Sequence, residues 1–81
     1  MKTVLITGAS GGIGQALALC FLNAGYHVGL CDLSAPATEH LKAPADRVFS
    51  AALDVTEADA WDQLLQDFDQ RFGSLDFLCA V

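Results

Sequence analysis

The chain has 81 residues, ten acidic against four basic, giving a net charge of −6 at pH 7. Lys2, Lys42, Arg47 and Arg71 are scattered rather than gathered into a stripe, which argues against nucleic acid or an anionic membrane as partner. With 53% hydrophobic and 17% charged residues, the composition is that of a single folded domain over residues 1–81 and not of a disordered segment.

In chain order, residues 2–7 run apolar, which suits a strand buried on both faces. A helix is predicted over about 12–24, with Ile13, Leu17, Cys20, Phe21 and Ala24 as its apolar stripe and Asn23-Ala24-Gly25 as its stop. His27 to Cys31 form a second strand ending at Asp32. Ser34, Pro36 and Thr38 mark a loop into a weak helix around 36–42, ended by Pro44. A third strand lies near 47–53, closed by Asp54-Val55-Thr56. Thr56 followed by Asp59 three residues on predicts a capping-box-like helix start. Trp61, Leu64, Leu65, Phe68 and Phe72 make one face of that helix, with Trp61 expected in the core, and Gly73 stops it. Residues 75–81 read as a fourth strand.

Strands alternating with crossovers give an α/β fold, a doubly wound parallel sheet of order 3-2-1-4 built as β-α-β-α-β-α-β. The winding reverses between strands one and four, so a crevice is expected at their carboxyl ends. Cys20, Cys31 and Cys79 show neither CxxC spacing nor a histidine cluster. They are expected as small core residues, with no disulfide framework and no metal site. No apolar run approaches the roughly 20 residues that cross a bilayer, and the opening residues are unlike an export leader. A cytoplasmic protein is expected.

The chemistry concentrates in Gly8-Ala9-Ser10-Gly11-Gly12-Ile13-Gly14, placed between an apolar strand and a helix. A pyrophosphate needs backbone N–H groups without side chains in the way, and a helix start supplies them together with the positive end of the helix dipole. Gly8 permits the turn out of the strand, Gly12 lets backbone meet phosphate, and Gly14 allows close helix packing. Ser10 offers a hydroxyl to ribose or phosphate. The plainer alternative, a tight strand-to-helix connection, leaves unexplained why four glycines stand where each costs about 0.5–1 kcal/mol unless geometry demands it.

Asp32, eighteen positions after Gly14, lies where a carboxylate can accept from both ribose hydroxyls and repel a 2′-phosphate. No cation occupies the turn or position 33, held by Leu33, so NAD(H) is expected over NADP(H). The alternative for Asp32 is a solvated turn acid. Asp54 could accept from an adenine amino group with Val55 against the ring, or simply shape its own turn. His27 and His40 lack a carboxylate, serine or cysteine at a catalytic spacing and read as structural or solvated.

Thr7 through Gly14, with its Gly-x-x-x-Gly-x-Gly spacing, resembles the cofactor motif of the short-chain dehydrogenase/reductase family. Asp32, Asp54-Val55-Thr56 and Leu75-Asp76-Phe77-Leu78 fall where that family has counterparts. The resemblance implies a Rossmann-type fold of which this chain spans the first third, and hydride transfer between NAD(H) and an alcohol or carbonyl. It implies cofactor contacts at Gly8, Ser10, Gly12, Ile13, Gly14, Asp32, Leu33, Asp54 and Val55. It also places the family's Tyr-x-x-x-Lys beyond residue 81, so no catalytic residue is nominated and the 81 residues alone are expected to be inactive. Tyr26, with Leu30 four positions on, is on the wrong side of the fold. Where the family usually has Asn-Asn-Ala-Gly after the fourth strand, Ala80 and Val81 stand here. The alternative reading is a catalytically silent nucleotide-binding or interaction module that associates through the apolar edge of strand four.

Overall fold

The computed structural model describes residues 2–81. Four strands, β1 (Thr3–Thr7), β2 (His27–Asp32), β3 (Val48–Ala52) and β4 (Phe77–Ala80), and two helices, α1 (Gly12–Asn23) and α2 (Ala58–Phe72), make up the chain. The strands form one parallel sheet in the order β3-β2-β1-β4, the order expected from right-handed crossovers. Val4 stands opposite Val28 on one side and Phe77 on the other, and Val28 opposite Val48.

Alternation along the strands sends side chains to two cores. On one face Val4, Ile6, Val28 and Leu30 pack with Ala18 and Leu22 of α1 and with Leu41. On the other, Leu5, Cys31, Phe49 and Leu53 pack with Leu64, Phe68 and Phe72 of α2. Every residue of β1 is buried, as an inner strand covered on both faces requires.

The buried line of α1 is Gly14, Ala18 and Leu22, not the predicted stripe. Leu17 and Phe21 pack only at its flank, Cys20 and Ala24 are exposed, and Ile13 is 69% exposed. Small residues let a helix approach its neighbours closely, so contact favoured Gly14 and Ala18 over their larger neighbours. The end of α1 follows expectation: Gly25 takes φ +89°, its N–H donates to Leu22 O at 3.0 Å and that of Tyr26 to Phe21 O at 2.9 Å, a Schellman close. Arg47 then donates to both Leu22 O (2.9 Å) and Tyr26 O (2.8 Å).

The predicted helix at 36–42 is only a 3₁₀ turn, Glu39–Leu41, ended by Lys42 at φ +53°. Pro36 and Pro44 bracket too few residues for a longer helix, and the Pro36 carbonyl is taken by Ser50 Oγ at 2.6 Å. Thr56 does not cap α2. Its hydroxyl and N–H both donate to Asp54 Oδ1, at 2.6 and 3.0 Å, and α2 begins after Glu57 with no side-chain cap. Of the cysteines only Cys31 is buried, Cys20 being exposed and Cys79 intermediate. On α2, Leu65 is 40% exposed and Trp61 sits at the margin of the core.

At the amino-terminal end of the sheet, Thr3 and Asp76 are knotted together. The Thr3 N–H donates to Asp76 Oδ2 at 2.9 Å, the Thr3 hydroxyl donates to Ser74 O at 2.6 Å, and the Asp76 N–H donates back to that hydroxyl at 3.0 Å. The outer edge of β4 is apolar and open, with Phe77 and Leu78 about half exposed.

Candidate functional site

At the carboxyl ends of the strands lies a cleft of about 350 Å³. Thr7 at the end of β1 with Gly8 after it, Asp32 at the end of β2 with Leu33 after it, Leu53 after β3, and Leu78 and Ala80 of β4 with Val81 after them line it, with Val55 and Trp61 closing one side. This is where the reversal of winding between β1 and β4 was expected to open a crevice.

Gly8 adopts φ +64°, and a Cβ there would meet Val81 O at 2.7 Å, so glycine is required for both conformation and space. Gly14 has a different reason: a Cβ would stand 2.6 Å from Ala9 Cα and 2.9 Å from Gly8 O. Gly11 and Gly12 have nothing within 4 Å of where a Cβ would sit. No packing within the chain explains them. That open space lies directly over the start of α1, whose first turn has neither a side-chain cap nor an acidic residue. Unoccupied amides and the positive dipole end there suit an anion.

Asp32 holds the turn from the side. Its Oδ2 accepts from the Ser10 N–H at 3.1 Å and its Oδ1 from the Leu33 N–H at 2.8 Å. The Leu33 and Ser10 amides, in that order, hold its carboxyl below the usual carboxylate range, with a lesser contribution from the Ser10 hydroxyl. The Thr56 hydroxyl and N–H likewise lower Asp54. Next to Asp32 the Cys31 thiol, donating to Ile6 O at 3.6 Å, is pushed up to about 11 by burial and then by the Asp32 charge.

Gly8, Asp32, Leu33 and Val55 thus share one cleft. Ser10, Gly12 and Ile13 lie outside its lining, on the glycine turn and the start of α1. Gly14 is turned inward against Ala9, and Asp54 is directed at its own loop through Oδ1. Leu33, Val55 and Ile13 are 74%, 55% and 69% exposed. Trp61 and Leu53 escaped sequence reasoning. Trp61 has the helical spacing of a core residue, yet its Nε1 donates to Val55 O at 2.9 Å and its ring walls the cleft. The one available signal was its place one turn into α2, close behind a strand end. Tyr26 lies before β2, at the end of the sheet away from the cleft, stacked edge-on to Phe21 at 4.9 Å.

Among the described residues no helix is long and apolar enough to cross a membrane. The family model for short chain dehydrogenase matches residues 2–81. A short chain dehydrogenase/reductase of Colletotrichum higginsianum is 37% identical over 81 residues, covering 95% of this chain and 30% of its own length. A 3-oxoacyl-(acyl-carrier-protein) reductase of Staphylococcus epidermidis is 33% identical over 82 residues, covering 95% and 34%. A solved short-chain dehydrogenase/reductase from Brucella melitensis, described as a glucose/ribitol dehydrogenase, superposes with a TM-score of 0.81 at 33% identity, over 95% of this chain and 34% of that one. The chain spans about a third of the length of these relatives. A parallel sheet of order 3-2-1-4, a glycine turn opening α1 and a match along residues 2–81 agree: the chain belongs to the short-chain dehydrogenase/reductase family.

Proposed function

We propose that this chain is the cofactor-binding portion of an oxidoreductase that moves hydride between NAD(H) and an alcohol or carbonyl. The observation that carries the reading is the pairing of bare glycine backbone at Gly11 and Gly12 with an ionised Asp32 at the neighbouring strand end. The amides at the start of α1 take the pyrophosphate, Gly8 and Gly14 hold the turn close, and Ser10 orients beside it. Asp32 accepts from the adenosine ribose, and no lysine or arginine lines the cleft to neutralise a 2′-phosphate, which favours NAD(H) over NADP(H). Leu33 and Val55 cover the adenine, with Asp54 beside them, and Ile13 faces the cofactor from α1. The bound nicotinamide supplies the hydride chemistry. The substrate class, alcohol or carbonyl, follows from family membership alone.

Three free thiols fit a reducing compartment such as the cytoplasm. The open β4 edge, with half-exposed Phe77 and Leu78, suits pairing with a second copy, and sedimentation at rising concentration tests that part of the proposal.

Calorimetry with NAD and NADP tests the whole reading. Saturable heat with NAD, at least tenfold weaker with NADP as a charge-based selection requires, is the expected result. Folded protein giving no heat with either nucleotide would overturn it.

A further inference from the structure

One peptide group in the glycine turn is held at both of its polar atoms. The Ala9 carbonyl accepts from Gln15 Nε2 at 2.5 Å, and the Ser10 N–H of the same peptide donates to Asp32 Oδ2 at 3.1 Å. The partners come from different elements, Gln15 from the first turns of α1 and Asp32 from the end of β2. Gln15 is itself held, because its Oε1 is hydrogen-bonded to His40 Nε2 in the 3₁₀ turn. Ala9 is fully buried, and its own N–H is anchored on Cys31 O at 3.1 Å.

Rotation of the Ala9–Ser10 peptide plane would turn its carbonyl oxygen toward the Asp32 carboxylate, placing negative against negative. Two bonds of opposite sense, one at each end of the peptide dipole, prevent it. This plane leads straight into Gly11, Gly12 and Ile13, so its orientation fixes where the amides at the start of α1 point. Nothing in the glycine motif demands a glutamine at position 15 or a histidine at position 40, and no other role in the fold is visible for their joined side chains.

We infer that Gln15 and His40 are positioning residues of the cofactor site. Gln15 locks the Ala9–Ser10 peptide, His40 locks Gln15, and the segment after Asp32 is thereby coupled to the glycine turn before any ligand arrives. The inference rests on the glycine turn being a dinucleotide site, and its test separates the two claims.

In the full chain, Gln15→Leu keeps helix propensity and removes the donor. The expected result is about tenfold faster hydrogen exchange at the Ser10 amide and an NAD dissociation constant raised by about tenfold, with core sheet amides unchanged. His40→Leu, at an exposed position, should move both readouts the same way by less. His40→Gln, which keeps an N–H near the Nε2 position, should restore them. Unchanged Ser10 exchange in Gln15→Leu and His40→Leu would overturn the inference. Should the wild type give no heat with NAD, the cofactor reading fails, while Ser10 exchange still decides whether the clamp exists.

Discussion

Gly29 of β2 lies directly beneath Phe68 of α2: a Cβ on Gly29 would stand 2.8 Å from Phe68 Cε2 and 3.2 Å from Leu5 Cδ1. The ring, 1% exposed, sits where any other residue in the middle of β2 would put a side chain. Gly29→Ala is therefore expected to destabilise by about 1–3 kcal/mol through overpacking, and Phe68→Ala by about 3–5 kcal/mol. Combined with Phe68→Leu, Gly29→Ala should cost less than it does alone. Urea denaturation of the four proteins in a double-mutant cycle measures this coupling, and strict additivity would refute the contact.

Gly12 and Gly14 should separate binding from folding. Gly14→Ala pushes a methyl into the Ala9 and Gly8 backbone, which cannot swing aside, so its melting temperature should fall by several degrees, about 4–8 °C for each kcal/mol in a domain of this size. Gly12→Val meets nothing within the chain and should melt close to wild type while losing NAD binding by more than about a hundredfold. Calorimetry and thermal melts on the two variants would expose the reverse pattern.

Asp32 carries an acid-side dependence. Its pKa is lowered in the folded chain, so the stabilisation from its two amide bonds is fully present above the ordinary carboxylate value of 3.8 and disappears as pH falls through the lower, folded value. Carboxyl NMR should show Asp32 titrating below the ordinary carboxylate value of 3.8. Asp32→Ala should flatten that part of the stability profile and weaken NAD binding about tenfold, as loss of one charged hydrogen-bonding contact implies.

Cys31 works from the alkaline side. Its folded pKa, about 11 against an ordinary 9.0, is raised, so its stabilisation is complete below pH 9.0 and is lost as pH climbs toward the folded value. Cys31→Ala should remove that alkaline decline. A thiol reagent at pH 8 should label exposed Cys20 rapidly and Cys31 only on unfolding, and fast labelling of Cys31 in folded protein would contradict its burial.

Sheet order and the position of the cleft were legible because they follow from strong local rules. An inner strand such as Val4-Leu5-Ile6 has no polar face, and a glycine turn between strand and helix admits few geometries. What escaped depended on distance between elements. Ile13 was read inward because its spacing fits a helical stripe, whereas Gly14 and Ala18 face the interior, a choice set by how near α1 lies to the turn. Thr56 has the identity of a cap, but Asp54 two residues earlier competes for its hydroxyl and N–H. Trp61 met the rule for a core residue and became a wall of the cleft because its Nε1 found the Val55 carbonyl. Gln15 and His40, twenty-five positions apart, carry no local signal at all.

The knot between Thr3 and Asp76 joins residues 73 positions apart. A ribosome releases β1 long before β4, and at roughly 5–20 residues per second the β4-facing edge of Val4, Leu5 and Ile6 waits several seconds without its partner. A nascent chain in that interval presents one open edge of a hydrophobic strand to whatever chaperone or neighbouring polypeptide is at hand.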